Sequence, residues 1–111
     1  MTRNKLYKLK REWSQLYRSP SKARVLEALA QKLGRKLVSR GKEPMWDNVQ
    51  FPELPVLSIP HHGGGRDLST RVQRSVLDQL EDDLLAWENQ LDDEQQDDEQ
   101  QEDTEENGSG E

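Results

Sequence analysis

Cysteine is absent from the 111 residues, so the chain builds neither a disulfide framework nor a thiolate metal site, a composition compatible with a reducing compartment. Aromatic residues are scarce at 5%, and hydrophobic residues of every kind reach 31% against 34% charged, which limits the chain to one small domain with a modest core and excludes a multidomain enzyme. No run of about eighteen apolar residues occurs, and the opening MTRNKLYKLKREW is too polar for a secretory signal. The expectation is a cytoplasmic protein with no membrane contact. Apolar residues end at Leu91, and none lies between Asp92 and Glu111. That segment cannot offset its conformational entropy by burial.

What is present is charge, sorted by position. Met1 to Leu80 holds 16 basic and 7 acidic residues, net +9, whereas Glu81 to Glu111 holds 15 acidic and no basic ones. The overall −6 therefore describes neither half. DDEQQ at 92–96 repeats at 97–101, a low-complexity acidic run expected to be a disordered tail. The chain divides into a basic amphipathic N-terminal helix (1–20), a folded domain (21–91) and the acidic tail (92–111).

Along 5–18, Leu6, Leu9, Trp13 and Leu16 recur at helical spacing with Tyr7 and Tyr17 beside them, and Lys5, Lys8, Lys10, Arg11 and Arg18 occupy the remaining surface. Ser19-Pro20-Ser21 interrupts this pattern and is expected to supply an N-cap and a first-turn proline for a second helix. That helix buries Val25, Leu26, Leu29 and Leu33, and Gly34 suits the left-handed residue that closes it. From Arg35 to His62 the texture becomes short segments between Gly41, Pro44, Pro52, Pro55 and Pro60. Three strands fit, at 35–40, 45–51 and 56–59. In the second, Met45, Val49 and Phe51 share one face and Trp46, Asn48 and Gln50 the other, a half-buried alternation. A long final helix beginning near Asp67 or Ser69 carries Val72, Val76, Leu80, Leu84, Trp87 and Leu91 at helical spacing, and its acidic C-terminal end opposes the helix dipole.

Two stretches then stand out. SKARVLEALAQKLGRKLVSRGK resembles the opening helix and first strand of HicA-type toxins, the mRNA-cleaving partners of HicA–HicB toxin–antitoxin pairs. LSIPHHGGGRDL followed by RSVL resembles the end of the third strand, the turn and the final helix of the same family. The resemblance covers Ser21 to about Leu80. It implies an α+β, double-stranded-RNA-binding-like domain, α-β-β-β-α with an extra N-terminal helix, together with RNA cleavage by a histidine and neutralisation by a HicB-like antitoxin. The family places its histidine in a GSH motif after the first strand. This chain reads RGKEPMW there, with no histidine between Gly41 and Trp46.

Only His61 and His62 remain as candidate proton-transfer groups, beside Gly63, Gly64 and Gly65, whose amides suit a phosphate. The plainer alternative is a polar turn at a strand end. Two adjacent histidines without a carboxylate at ligand spacing make no metal site, and nothing in the sequence calls for a cofactor. The expected RNA-binding residues are Lys22, Arg24, Lys32, Arg35, Lys36, Arg40 and Lys42, from a first half crowded with cations. Trp46 reads as core rather than as a base-stacking platform. The reading is a HicA-like RNA-binding protein with mRNA cleavage left open or lost. Its rivals are an active mRNA interferase using His61 or His62, and a protein-interaction module with no RNA function.

Overall fold

A computed structural model describes residues 1–39, 43–60 and 66–110, the stretch 95–110 as backbone alone. Among the described residues the chain is α+β, in the order α1 (Arg3–Tyr17), α2 (Ala23–Lys32), β1 (Arg35–Ser39), β2 (Met45–Asn48), β3 (Leu57–Ser58) and α3 (Thr70–Gly110). The strands form one antiparallel sheet in the order β1-β2-β3.

Helix α1 starts at Thr2, whose hydroxyl accepts the Lys5 amide at 3.1 Å, and it ends ahead of Pro20, which disfavours helical backbone at Ser19. Its apolar stripe is part of the main core. Leu6 and Leu9 are buried, Trp13, Leu16 and Tyr17 pack against the same cluster, and Tyr7 is left outside. Helix α2 departs from expectation at its start: Lys22 is the N-cap with no side-chain bond, and Pro20 and Ser21 precede the helix. Ser21 is engaged elsewhere. Its amide donates to Gln73 Oε1 at 2.9 Å and its carbonyl accepts the Leu68 amide at 2.9 Å, while the backbones of Lys22 and Asp67 form an isolated antiparallel bridge. Leu26, Leu29, Ala30 and Leu33 are fully buried, and Val25 only partly. Gly34 closes the helix at φ +100°, and a Cβ there would lie 3.3 Å from Asn48 Oδ1.

The strands are shorter than the sequence pattern predicts. Register runs Arg35↔Asn48, Lys36↔Asp47 and Leu37↔Trp46, shifting between Leu37 and Ser39 so that Ser39 pairs with Met45. Strand β2 ends at Asn48 because that side chain turns the backbone: its Oδ1 accepts the Gln50 amide at 3.0 Å and the Phe51 amide at 3.2 Å. Val49 is thereby thrown outward. The inward face is that of Trp46 and Asn48, not that of Met45 and Val49, and Phe51 is buried only after the strand has ended, edge-on to Trp87. Trp46 is core, as expected.

Helix α3 is initiated by Ser69, whose hydroxyl accepts the Val72 amide at 3.2 Å. It buries Val76, Leu77, Leu80 and Leu84, each worth roughly 1.5–3 kcal/mol relative to exposure. Asp92 to Glu94, assigned to the unstructured tail by composition, are helical, and Arg3 of α1 reaches Asp92 at 2.7 Å. Side chains from residue 95 onward lie outside the described residues.

Candidate nucleic-acid interface

Two polar side chains on the buried stripe of α3 hold the rest of the fold in place. Gln73 donates to the carbonyls of Leu16 and Ser19 and accepts from the Ser21 amide, closing the turn between α1 and α2 against α3. Asp83, fully buried, receives a bidentate pair from Arg35, Nε to Oδ2 and Nη2 to Oδ1, both at 2.8 Å. Arg35 also donates to the carbonyls of Trp46 and Pro55, each at 3.0 Å. Asn48 completes the cluster by donating to Asp83 Oδ2 and to the Leu33 carbonyl, which also accepts Trp87 Nε1 at 2.8 Å. The carbonyl of Leu33, which caps α2, is thus satisfied from the sheet and from α3.

This network corrects the expectation for Arg35. At 2% exposure it reaches no RNA, and its role is to neutralise a buried carboxylate. A sequence signal for it exists. Asp83 falls three residues after Leu80 and seven after Val76, on the apolar stripe, and an acid at such a position requires a buried partner.

The other expected contacts separate. Lys32 is exposed but paired with Glu12 of α1 at 3.2 Å. Lys36 lies on the outer face of the sheet, opposite Asp47 in register. Arg40 and Lys42, and likewise His61 and His62 with the three glycines after them, lie outside the described residues. On α1, Lys10 pairs with Glu88 and Arg3 with Asp92, while Lys5, Lys8 and Arg11 face solvent.

Lys22 and Arg24 join something larger. The Lys22–Asp67 bridge and the Leu68–Ser21 bond bring the segment before α3 against the start of α2, and Gln73 ties both to the end of α1. This pole of the molecule gathers residues 18–24 and 66–74, which carry six cations (Arg18, Lys22, Arg24, Arg66, Arg71 and Arg74) against a single carboxylate, Asp67. All of them but Lys22 are exposed, and Lys22 is partly so. Among the described residues none of these six has an ion-pair partner within 4.0 Å. Arg74 instead stacks over Tyr17, its Cζ 5.4 Å from the ring centroid.

Composition alone misses Arg18, Arg66, Arg71 and Arg74 as members of this pole, because the two segments that form it are more than forty residues apart in sequence. Among the described residues there is no cluster of three metal-ligating side chains and no helix long and apolar enough to cross a membrane. Comparison of the chain with protein-family models, with curated proteins and with solved structures gives no match.

Proposed function

We propose that the chain is a HicA-like RNA-binding protein that grips the sugar–phosphate backbone at its basic pole. The observation that carries this reading is the convergence of six cations with one carboxylate where α1 ends and α2 and α3 begin. Unpaired guanidinium groups suit phosphate, because their planar donors match two oxygens at once and are weakly hydrated. Binding of this kind releases counterions and falls steeply with salt. The order of helix, three antiparallel strands and helix agrees with what the resemblance implies. Trp46 is in the core and unable to stack on a base, so the contacts favour backbone over sequence.

Cleavage is a second reading, favoured by one fact of chain order. In sequence, His61 and His62 stand within five residues of Arg66, one of the cations of the pole. A HicB-like antitoxin is the partner that either reading implies. Purified protein incubated with mixed RNA, scored for both retention and cleavage, tests them together. Retention without cleavage supports the binding protein. Cleavage abolished by His61→Ala with His62→Ala supports the interferase, and neither retention nor cleavage points to an interaction module instead.

A further inference from the structure

Between the end of α1 and the first turns of α3 lies a cavity of about 190 Å³, lined among others by Tyr17, Arg18, Ser19, Thr70 and Arg74. Water occupies ~30 Å³ per molecule in the liquid, so the space holds about six waters, or a tetrahedral oxyanion with its remaining hydration. Among the described residues two guanidinium groups line it and no carboxylate does. Sequence spacing offers Arg74 a partner in Asp78 one helical turn on, yet no ion pair joins them among the described residues, and Arg74 turns to Tyr17. Tyr17 is itself held by Trp13, with ring centroids 5.1 Å apart, and Trp13 Nε1 is anchored on the Leu77 carbonyl at 2.6 Å. Arg74 is therefore propped by a fixed aromatic pair, with its charge unspent. Other polar groups of the cavity wall are already used: Gln73 closes the α1–α2 turn, and the Ser19 hydroxyl donates to the Gln15 carbonyl at 3.2 Å.

Beside it the open outer face of α3 runs from Arg71 and Arg74 to Asp78 and Asp82. Its near end is basic and its far end acidic, so an anion is drawn to the Arg71–Arg74 end and repelled from the other. Resting on the RNA-binding reading, we propose that the cavity is a phosphate subsite, in which Arg18 and Arg74 donate to one phosphate group of the strand and Tyr17 holds Arg74 in place. Tyr17, Arg18 and Ser19 precede the region of family resemblance whereas Thr70 and Arg74 lie within it, so the subsite needs the extra helix and the domain together.

Isotope-labelled full-length protein is titrated with inorganic phosphate, with a short oligoribonucleotide and with its 5′-phosphorylated form, following the Arg74 Nε–H and the amides of Arg18, Ser19 and Thr70. These resonances should shift with the oligoribonucleotide. Arg18→Gln and Arg74→Gln should each weaken binding by about tenfold, and Arg74→Lys should restore it incompletely because lysine lacks the planar fork. A preference for the 5′-phosphorylated form assigns the subsite to a terminal phosphate, and equal binding assigns it to an internal one. If the oligoribonucleotide binds while these resonances stay still and both glutamine variants bind like wild type, the subsite is refuted and the RNA reading stands. If inorganic phosphate shifts them but no oligoribonucleotide binds, the anion site stands and the RNA reading falls. Arg18 takes no part in the Tyr17 stack, so its variant keeps the test decisive should Arg74→Gln disturb folding.

Discussion

The two halves of α3 treat charge in opposite ways. Over its first turns, Arg74 lines one cavity with Arg18 and shares the outer face of the helix with Arg71, while the backbone of Lys22 pairs with Asp67 just ahead of the helix, so cations gather at this end. Farther along, among the described residues, three acids of the helix pair with cations of other elements: Asp83 takes Arg35, Glu88 takes Lys10, and Asp92 takes Arg3. One helix thus both neutralises the basic N-terminal half of the chain and leaves one pole of it unneutralised. Positive charge unopposed at one place costs self-repulsion and is retained where an anion relieves it. The comparison also separates two uses of arginine. Arg35, desolvated and bidentate, serves the fold, whereas Arg74, propped on a ring and exposed, is available to a ligand.

The largest expected effect is at the neutralised half. Asp83→Ala leaves the Arg35 guanidinium buried without its counter-charge and removes one acceptor of Asn48, so unfolding in urea should show a loss of about 3–5 kcal/mol. Asp83→Leu with Arg35→Met should recover part of it, since an apolar pair of similar volume removes the unpaired charge while the Trp46 and Pro55 carbonyls lose a donor. Recovery with RNA affinity intact would confirm that Arg35 has no part in binding. Removing residues 92–111 changes the formal charge from −6 to +5 and deletes, among the described side chains, the partly exposed partner of Arg3 and an exposed one of Gln90. Stability should change by less than about 1 kcal/mol, while RNA affinity at low salt should rise several-fold, an increase that fades as the Debye length shrinks below about 10 Å. Equal affinity of the full and shortened chains would show the acidic run to be a solubilising extension only. The smallest effect is at Lys10 and Glu88: both are partly exposed, and a double-mutant cycle should return about 0.2–1 kcal/mol.

Much of this arrangement was legible in the sequence wherever it depended on local periodicity. Leu6 and Leu9, Leu26 and Leu29, and Val76, Leu80 and Leu84 all face the core as their spacing implies. Element order and the left-handed Gly34 followed from the same local signals. What local pattern does not carry is pairing across the chain. Arg35 and Asp83 are 48 residues apart, so a cation near a strand start reads as surface until its partner is seen. Strand β2 reads long because Val49 and Phe51 continue an alternation that the Asn48 side chain ends. Ser19-Pro20-Ser21 reads as a helix start with an N-cap and a first-turn proline, yet the Ser21 backbone is taken by Leu68 and Gln73, and tertiary bonding overrides the local preference. The basic pole is of the same kind, each of its two segments being unremarkable alone.

The most direct test of the account sets the pole against the other exposed basic surface at equal charge. Lys22→Glu with Arg24→Glu, and separately Lys5→Glu with Lys8→Glu, each lower the net charge by four, so long-range attraction to RNA is reduced alike. Affinity is then measured for both variants across a salt series. If the pole holds the backbone, the Lys22 and Arg24 variant loses about ten- to a hundredfold more affinity than the Lys5 and Lys8 variant, and its log–log salt slope falls by about two. Equal losses and equal slopes in the two variants would contradict the assignment of RNA binding to this pole.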